Sequence, residues 1–525
     1  MYIDAKNRQV LKKMSNIQQC TPVAISFTSL YNGIQGVLGR RAGWFSNWRG
    51  LETCNNEVNA ETVHPNGDAV VNNSDSWGTY QQQFTTAHWA VDQSWNYFKN
   101  KFNRSGWDCN HKKVKTFVDD VNFGGGPFYR LSDQTIHSFK KFMALDITGH
   151  EFTHGIMHHT SNVGSTGESG ALNESFSDIF GTLINHNTTG SLNWQTGSEF
   201  PWSEVGLPIT FLRDLQTPAN SFPPSPAIFM GANWANTANP SSNNDFGGVH
   251  INCGVQNRWF NLLSMGRFQN NVNVQSIGID KAAGISYHNL TTQLFSGALY
   301  QDAANGATAA AEALYGCSSF ELEQTRLAWQ AVGVNPPQPQ LNLFGQTNVC
   351  SESYFDTYIN FDACWRFGTN YTWSYPSQFN GTTYGNGNST LALTIPANEN
   401  GYFQITVTGN FNGIVQTQSL WLSVSNCGGQ YYSVKPNTHL TQSNQFTLSP
   451  NPTSDIVNIT LPNGINNAIF DAELYNSLGQ LVYKRKITNS DNRLEISELP
   501  KGFYNVILRN TSDKKVVFTN KLTKM

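Results

Sequence analysis

Two histidines four residues apart, His150 and His154, followed twenty residues later by the carboxylate of Glu174, force this chain to bring two helices face to face. Residues i and i+4 lie on one face of a helix, so His150-Glu151-Phe152-Thr153-His154 aims two imidazoles in one direction. Glu151 is turned about 100° from His150, beside whatever the imidazoles hold and not on it. Glu174, within Asn173-Glu174-Ser175-Phe176-Ser177-Asp178, falls on a second helix and can supply a third ligand. Three such ligands leave the fourth position of a tetrahedral metal open to water, and Glu151 stands where a base would take that water's proton. The five-residue motif alone fits a surface helix equally well. The downstream carboxylate makes it a metal site.

The run from Asp146 to Gly181, DITGHEFTHGIMHHTSNVGSTGESGALNESFSDIFG, resembles the active-site segment of the thermolysin-like zinc metallopeptidases, the bacterial neutral proteases. Gly247-Gly248-Val249-His250-Ile251-Asn252 resembles the same family's second signature, and a looser resemblance runs from Thr21 to Asn335. It implies an α+β fold with a mixed, β-rich N-terminal lobe at 21–165, an α-helical C-terminal lobe at 166–335, and zinc between them. It also implies roles. His150, His154 and Glu174 are the zinc ligands, and Glu151 is the general base. His250 stabilises the transition state and is oriented by Asp245, while Asp178 and Asn173 hold the two ligand histidines. Arg213 binds the substrate carbonyl on the leaving-group side. Ile136, Ile147 and Leu212 line an apolar primed-side pocket with Arg213 at its edge, so cleavage is expected on the amino side of Leu, Ile, Val or Phe.

Departures from the family are specific. A tyrosine that serves as second oxyanion donor is replaced by Ser165, and an Asn-Ala pair that holds the substrate backbone becomes Gly126-Pro127 ahead of Phe128-Tyr129. Loss of one oxyanion donor typically costs about two to three orders of magnitude in turnover. An alternative therefore stands beside the zinc endopeptidase: a catalytically weak relative that acts as a binding protein at the cell surface. Where the family places calcium-binding carboxylates, this chain has Asn185, Asn193 and Gln195, leaving Asp146 and Glu199. Calcium wants several anionic oxygens, so its binding is expected to be weakened or lost.

At 525 residues the chain is too long for one domain. Charged and aromatic residues each make up 13%, and the net charge of −3 gives no reason to expect a nucleic-acid partner. Protein or peptide substrates for a monomeric enzyme are expected instead. Eight cysteines form no C-x-x-C pair, and an even count in an exported chain favours some disulfides, with the pairing open. Cys253, inside the second signature, is read as packing, as is His88 on a helix over Thr86–Phe98. Gly124-Gly125-Gly126 lacks the Lys-Ser/Thr of a phosphate loop and is read as a substrate-edge loop. Asp146 is placed to cap the histidine helix, and helices are expected over Ala303–Tyr315 and Ser319–Ala331. No apolar stretch is long enough to cross a membrane.

The ends carry different signals. No signal peptide is visible, and Tyr2 to Leu11 resembles the last hairpin of the family's propeptide, so residues 1–20 are expected to be a propeptide tail and the chain a fragment. Pro336-Pro337-Gln338-Pro339 is a stiff linker. Alternating strands after it, such as Leu391–Ile395 and Tyr402–Val407, predict an immunoglobulin-like β-sandwich at 345–430. Residues 444–525, from Leu448-Ser449-Pro450-Asn451-Pro452 to Leu499-Pro500-Lys501-Gly502-Phe503-Tyr504, resemble the C-terminal sorting domain of type IX secretion cargo in Bacteroidetes. That implies the type IX machinery as a partner and a secreted or cell-surface location.

Overall fold

The computed structural model describes residues 2–3, 10–12, 22–41, 49–54, 58–118, 126–138, 142–351, 356–426, 447–449, 455–460, 469–476, 481–488, 492–500, 502–511 and 516–524. The chain forms two compact units, residues 1–310 with 323–337, and residues 311–322 with 338–525. Gly124 and Gly125 lie outside the described residues.

The first unit begins with strands. Tyr2–Ile3 pairs antiparallel with Val10–Lys12 inside the segment expected to be a propeptide tail. Pro22–Thr28 pairs antiparallel with Ile34–Arg41, and its alternation buries Ile25 and Phe27 on one side. A second sheet runs in the spatial order Phe128–Arg130, Thr135–Ser138, Val114–Val118, Asn59–Val63, Glu52–Cys54. Helix α1, Gln82–Phe102, is longer at both ends than the periodicity of its aromatic residues suggests. His88 on that helix is fully buried, held between Thr53 Oγ1 at 2.8 Å and Thr62 Oγ1 at 3.0 Å, and burial pushes its imidazole down to about 4. It is a packing residue.

Helices α2, Leu145–His158, and α3, Gly167–Thr189, lie against α1 through stacked and edge-on rings. Phe98 meets Phe152 at 5.9 Å and Phe180 at 5.2 Å, all three fully buried. Each such ring contributes about 1.5–3 kcal/mol by leaving water, which offsets the ~1 kcal/mol that each helix glycine costs. The glycines are required by proximity. A Cβ on Gly181 would stand 2.4 Å from the Asp146 carbonyl oxygen, so only glycine lets the two backbones approach this closely. Asp146 does not cap α2 as expected. The N-cap is Ala144, and Asp146 sits in the first turn, its Oδ1 accepting from Ile147 N at 2.8 Å and its Oδ2 from Gly197 N at 2.7 Å.

Beyond α3 the unit is helical, with α4 at Asp245–Asn252, α5 at Gly254–Met265, α6 at Ile279–His288, α7 at Tyr300–Tyr315 and α8 at Phe320–Ala331. Two short hairpins interrupt it, one pairing Gln195–Thr196 with Arg213–Asp214. Trp259 and Trp329 stack at 4.7 Å in its core.

In the second unit, two four-stranded sheets face each other over Phe361, Leu391, Leu393, Ile405, Leu422 and Val424. The first strand of this sandwich is Asn342–Gly345 and the last is Ile414–Asn426. Cys317 is bonded to Cys364, and Cys350 is also in a disulfide. Further strands between Thr447 and Lys524 enclose a separate core that includes Val457, Leu474, Val506 and Leu522. No helix among the described residues is long and apolar enough to cross a membrane.

Candidate metal centre and substrate cleft

The close approach of α2 and α3 sets three ligand atoms against one another. His150 Nε2 lies 3.0 Å from His154 Nε2 and 3.3 Å from Glu174 Oε2, and His154 Nε2 lies 3.6 Å from Glu174 Oε1. Among the described residues, these three form the only group of His, Cys, Asp or Glu side chains with the spacing of a metal site. Each imidazole has its other nitrogen engaged. His150 Nδ1 donates to Asp178 Oδ1 at 3.0 Å, and His154 Nδ1 donates to Asn173 Oδ1 at 2.7 Å. An amide oxygen only accepts, so the His154 proton is on Nδ1 and its Nε2 presents a bare lone pair. His150 Nδ1 is engaged in the same way, so the two Nε2 atoms face each other across 3.0 Å beside Glu174 Oε2, a buried oxygen with no hydrogen-bond partner. This donor set fits a zinc ion.

With no cation bound, the surrounding carboxylates favour a proton in its place. Burial alone would lower the His150 imidazole, yet the carboxylates of Asp178 and Glu174 raise it to about 10. Burial opposes ionisation of Glu174, but His250, His154 and His150 hold it well below the usual carboxylate range. Burial likewise opposes Asp178, and Arg213 with His150 brings it to about 2. Asp178 is the hub. It accepts from Arg213 Nε at 2.6 Å and Nη2 at 2.7 Å, from His150, and from Asn257 Nδ2 at 2.8 Å.

His250 reaches the centre from α4. Its Nε2 lies 3.5 Å from Glu174 Oε2, and Asp245 accepts twice, from His250 N at 2.8 Å and Nδ1 at 2.5 Å. A left-handed stretch from Asp245 (φ 54°) to Gly248 (φ 75°) doubles the chain back so that this carboxylate meets the imidazole five residues on. Burial opposes protonation of His250, but Glu174 first, then Asp245, raise its pKa.

Two cavities open from the centre, and both are lined by His150, Glu151, Glu174 and His250. The larger, about 710 Å³, is walled by Phe142, Ile147, Trp202, Val205, Leu207 and Leu212, with Arg213 beside them. Phe142 stacks on Phe200 at 3.8 Å, and Phe200 packs edge-on to Trp202, which fixes that wall. The smaller, about 390 Å³, is lined by Tyr129, Leu131, His158, Asn162 and Ser165. Tyr129 Oη and His158 Nδ1 are hydrogen-bonded at 2.9 Å.

One residue expected in the pocket is elsewhere. Ile136 lies on the strand paired on both sides, opposite Thr116 and Tyr129, and is buried within that sheet instead of on the cavity wall. Phe142, six residues later, supplies the apolar surface. Asn257, Tyr129 and His158 belong to the site without having been singled out from sequence. Asn257 has no local signal, since only the packing of α5 against α3 brings it to Asp178.

The calcium positions are depleted. Asn193 donates to Ser198 and Gln195 to Asp214. Of the remaining carboxylates, burial and then Asp146 push Glu199 up to about 7, and Asp146 is raised mainly by burial. Two such groups do not make the cage of anionic oxygens that calcium needs, so the fit is poor.

Residues 44–158 match the family model for the thermolysin metallopeptidase catalytic domain, residues 161–334 that for its alpha-helical domain, and residues 447–522 that for a secretion system C-terminal sorting domain. The chain is 27% identical over 354 residues to a thermolysin of Alicyclobacillus acidocaldarius subsp. acidocaldarius, covering 63% of each chain. It is 30% identical over 280 residues to a bacillolysin of Bacillus cereus, covering 52% of this chain and 47% of that one. It thus spans less than two-thirds of the length of these relatives. Among solved structures, the precursor of protealysin, a metalloproteinase from Serratia proteamaculans, is 21% identical with a TM-score of 0.43, covering 54% of this chain and 89% of that one.

Proposed function

We propose that this chain, which carries the catalytic and alpha-helical domains of the thermolysin metallopeptidases and a secretion-system sorting domain, is a secreted zinc endopeptidase that cuts on the amino side of hydrophobic residues. The observation that supports it best is the pair of imidazole Nε2 atoms converging with Glu174 beside Glu151, on the floor of a cleft with two arms. Zinc, when bound by His150, His154 and Glu174, supplies a Lewis acid that polarises the scissile carbonyl and acidifies water.

The remaining chemistry belongs to side chains. Glu151 takes a proton from the attacking water and delivers it to the leaving amine as the C–N bond breaks. His250, steered by Asp245, donates to the oxygen that becomes negative. Arg213, clamped by two hydrogen bonds to Asp178, presents its remaining edge to the substrate carbonyl on the leaving-group side. The apolar arm of the cleft receives the side chain after the cut. Asn173 and Asp178 fix the imidazole tautomers.

Ser165 lines the other arm where the family carries a tyrosine, which keeps the weakly catalytic surface-binding reading in contention. Casein hydrolysis separates the two. An endopeptidase loses hydrolysis on treatment with 1,10-phenanthroline and in Glu151→Ala, whereas a binding protein shows none to lose. The sorting domain supports export by the type IX machinery, and the depleted oxygen set supports little or no dependence on calcium.

A further inference from the structure

One face of the sandwich does not look like an ordinary protein surface. The strands Asn348–Ser351, Ile414–Asn426, Gly401–Phe411 and Asn370–Ser374 lie side by side in that order. Ile405, Val407, Leu422 and Val424 point inward and are buried. The outward positions are Asn, Ser, Thr and Gln, with Val415, Cys350, Tyr402 and Trp421, and none carries a charge. By contrast, the strand Leu481–Ile487 carries Lys484, Arg485 and Lys486, the usual way of keeping a sheet soluble. Trp421 is 60% exposed and Tyr402 76%.

Strand register puts the two rings together. Trp421 pairs with Gln404 and Tyr402 with Ser423, so the two rings rise from diagonal neighbours on adjacent strands, positions roughly 7–8 Å apart along the sheet. Hydroxyl pairs continue the row, Thr406 with Ser419 at 2.8 Å and Thr408 with Thr417 at 3.0 Å. We propose that this face is a binding platform for a neutral polysaccharide.

The chemistry matches at each point. A pyranose ring has an apolar C–H face that lies flat on an indole or phenol ring, and its rim of hydroxyls exchanges hydrogen bonds with Thr, Ser, Gln and Asn. An uncharged face offers a sulfate or uronate no counter-ion. It offers an extended peptide little, because the backbone groups between these strands are already paired with one another.

The test is native affinity electrophoresis of the full chain in gels containing mannan, xylan or hydroxyethylcellulose, with polygalacturonate as the charged control. Retardation in at least one neutral gel is expected, and none with polygalacturonate. Trp421→Ala with Tyr402→Ala should weaken it by roughly tenfold or more, the scale of stacked-ring contacts. Gln404→Glu, which keeps both rings but places a charge between them, should also weaken it. Circular dichroism of both variants should match the wild type, as expected for exposed positions. No retardation in any neutral gel overturns the proposal. So does equal retardation of a folded double variant, retention by polygalacturonate alone, or a sedimentation profile in which this face drives self-association without binding glycan.

Discussion

His150 and His154 commit their Nδ1 hydrogens to Asp178 and Asn173, so their facing nitrogens are left to hold a cation. His154→Ala is therefore expected to abolish stoichiometric zinc, measured by inductively coupled plasma mass spectrometry. Retention of one zinc per chain in that variant would overturn the ligand assignment. Glu151→Gln should keep its zinc and lose turnover, and His250→Ala should lower kcat by about two to three orders of magnitude with a smaller change in KM. A His250 variant with near-normal kcat would mean that the oxyanion is held by another group. Glu199 gives a pH signature away from the centre. Its carboxyl is held protonated to about 7 in the folded chain, against 4.5 as its ordinary value. The folded state thus binds the extra proton, so this contribution to stability is full below pH 4.5 and is lost as pH rises to about 7. Thermal melts from pH 4 to 8 should show that decline in wild type and less of it in Glu199→Gln. An unchanged slope in the variant would assign the decline to other groups.

At the scale of elements, the α2–α3 pair carries the site, and its spacing depends on glycine. Gly181→Ala would drive a methyl group into the Asp146 carbonyl, a backbone atom that cannot swing away. The helices must separate, at a cost of about 1–3 kcal/mol. A lower Tm with reduced zinc affinity is the expected result, and an unchanged melt would show that the helices have room to adjust. Histidine spacing made these two helices legible in the sequence, because a helical repeat is a local property. Sequence spacing did not suffice where membership depends on tertiary packing. Ile136 carries the right chemistry for the pocket, yet it sits in the middle of a sheet, and Phe142 and Trp202 reach the wall through the path of the chain afterwards. Asp146 likewise has a capping residue's composition, but hydrogen-bonds across to Gly197 as well as within its own turn.

For the molecule as a whole, the proposed specificity rests on the apolar arm. Burying a Leu, Ile, Val or Phe side chain there contributes about 1.5–3 kcal/mol, and Phe142, Ile147, Trp202 and Leu212 offer a charged side chain no partner. Peptide-library profiling should find hydrophobic residues just after the cut, and a preference for Lys, Arg or Asp at that place would mean a differently lined cleft. The sequence by itself determined the proposed ligand set and base, the helix pair that bears them and the shift to all-β architecture after Pro336-Pro337, since each is written in short-range spacing or periodicity. Only the tertiary structure decided that Asp178 is shared by Arg213, His150 and Asn257, and that Tyr129 and His158 close the second arm. It alone decided that Trp421 and Tyr402 stand on one uncharged face. These are meetings of residues far apart in the chain, set by sheet register and helix packing, and no local pattern encodes them.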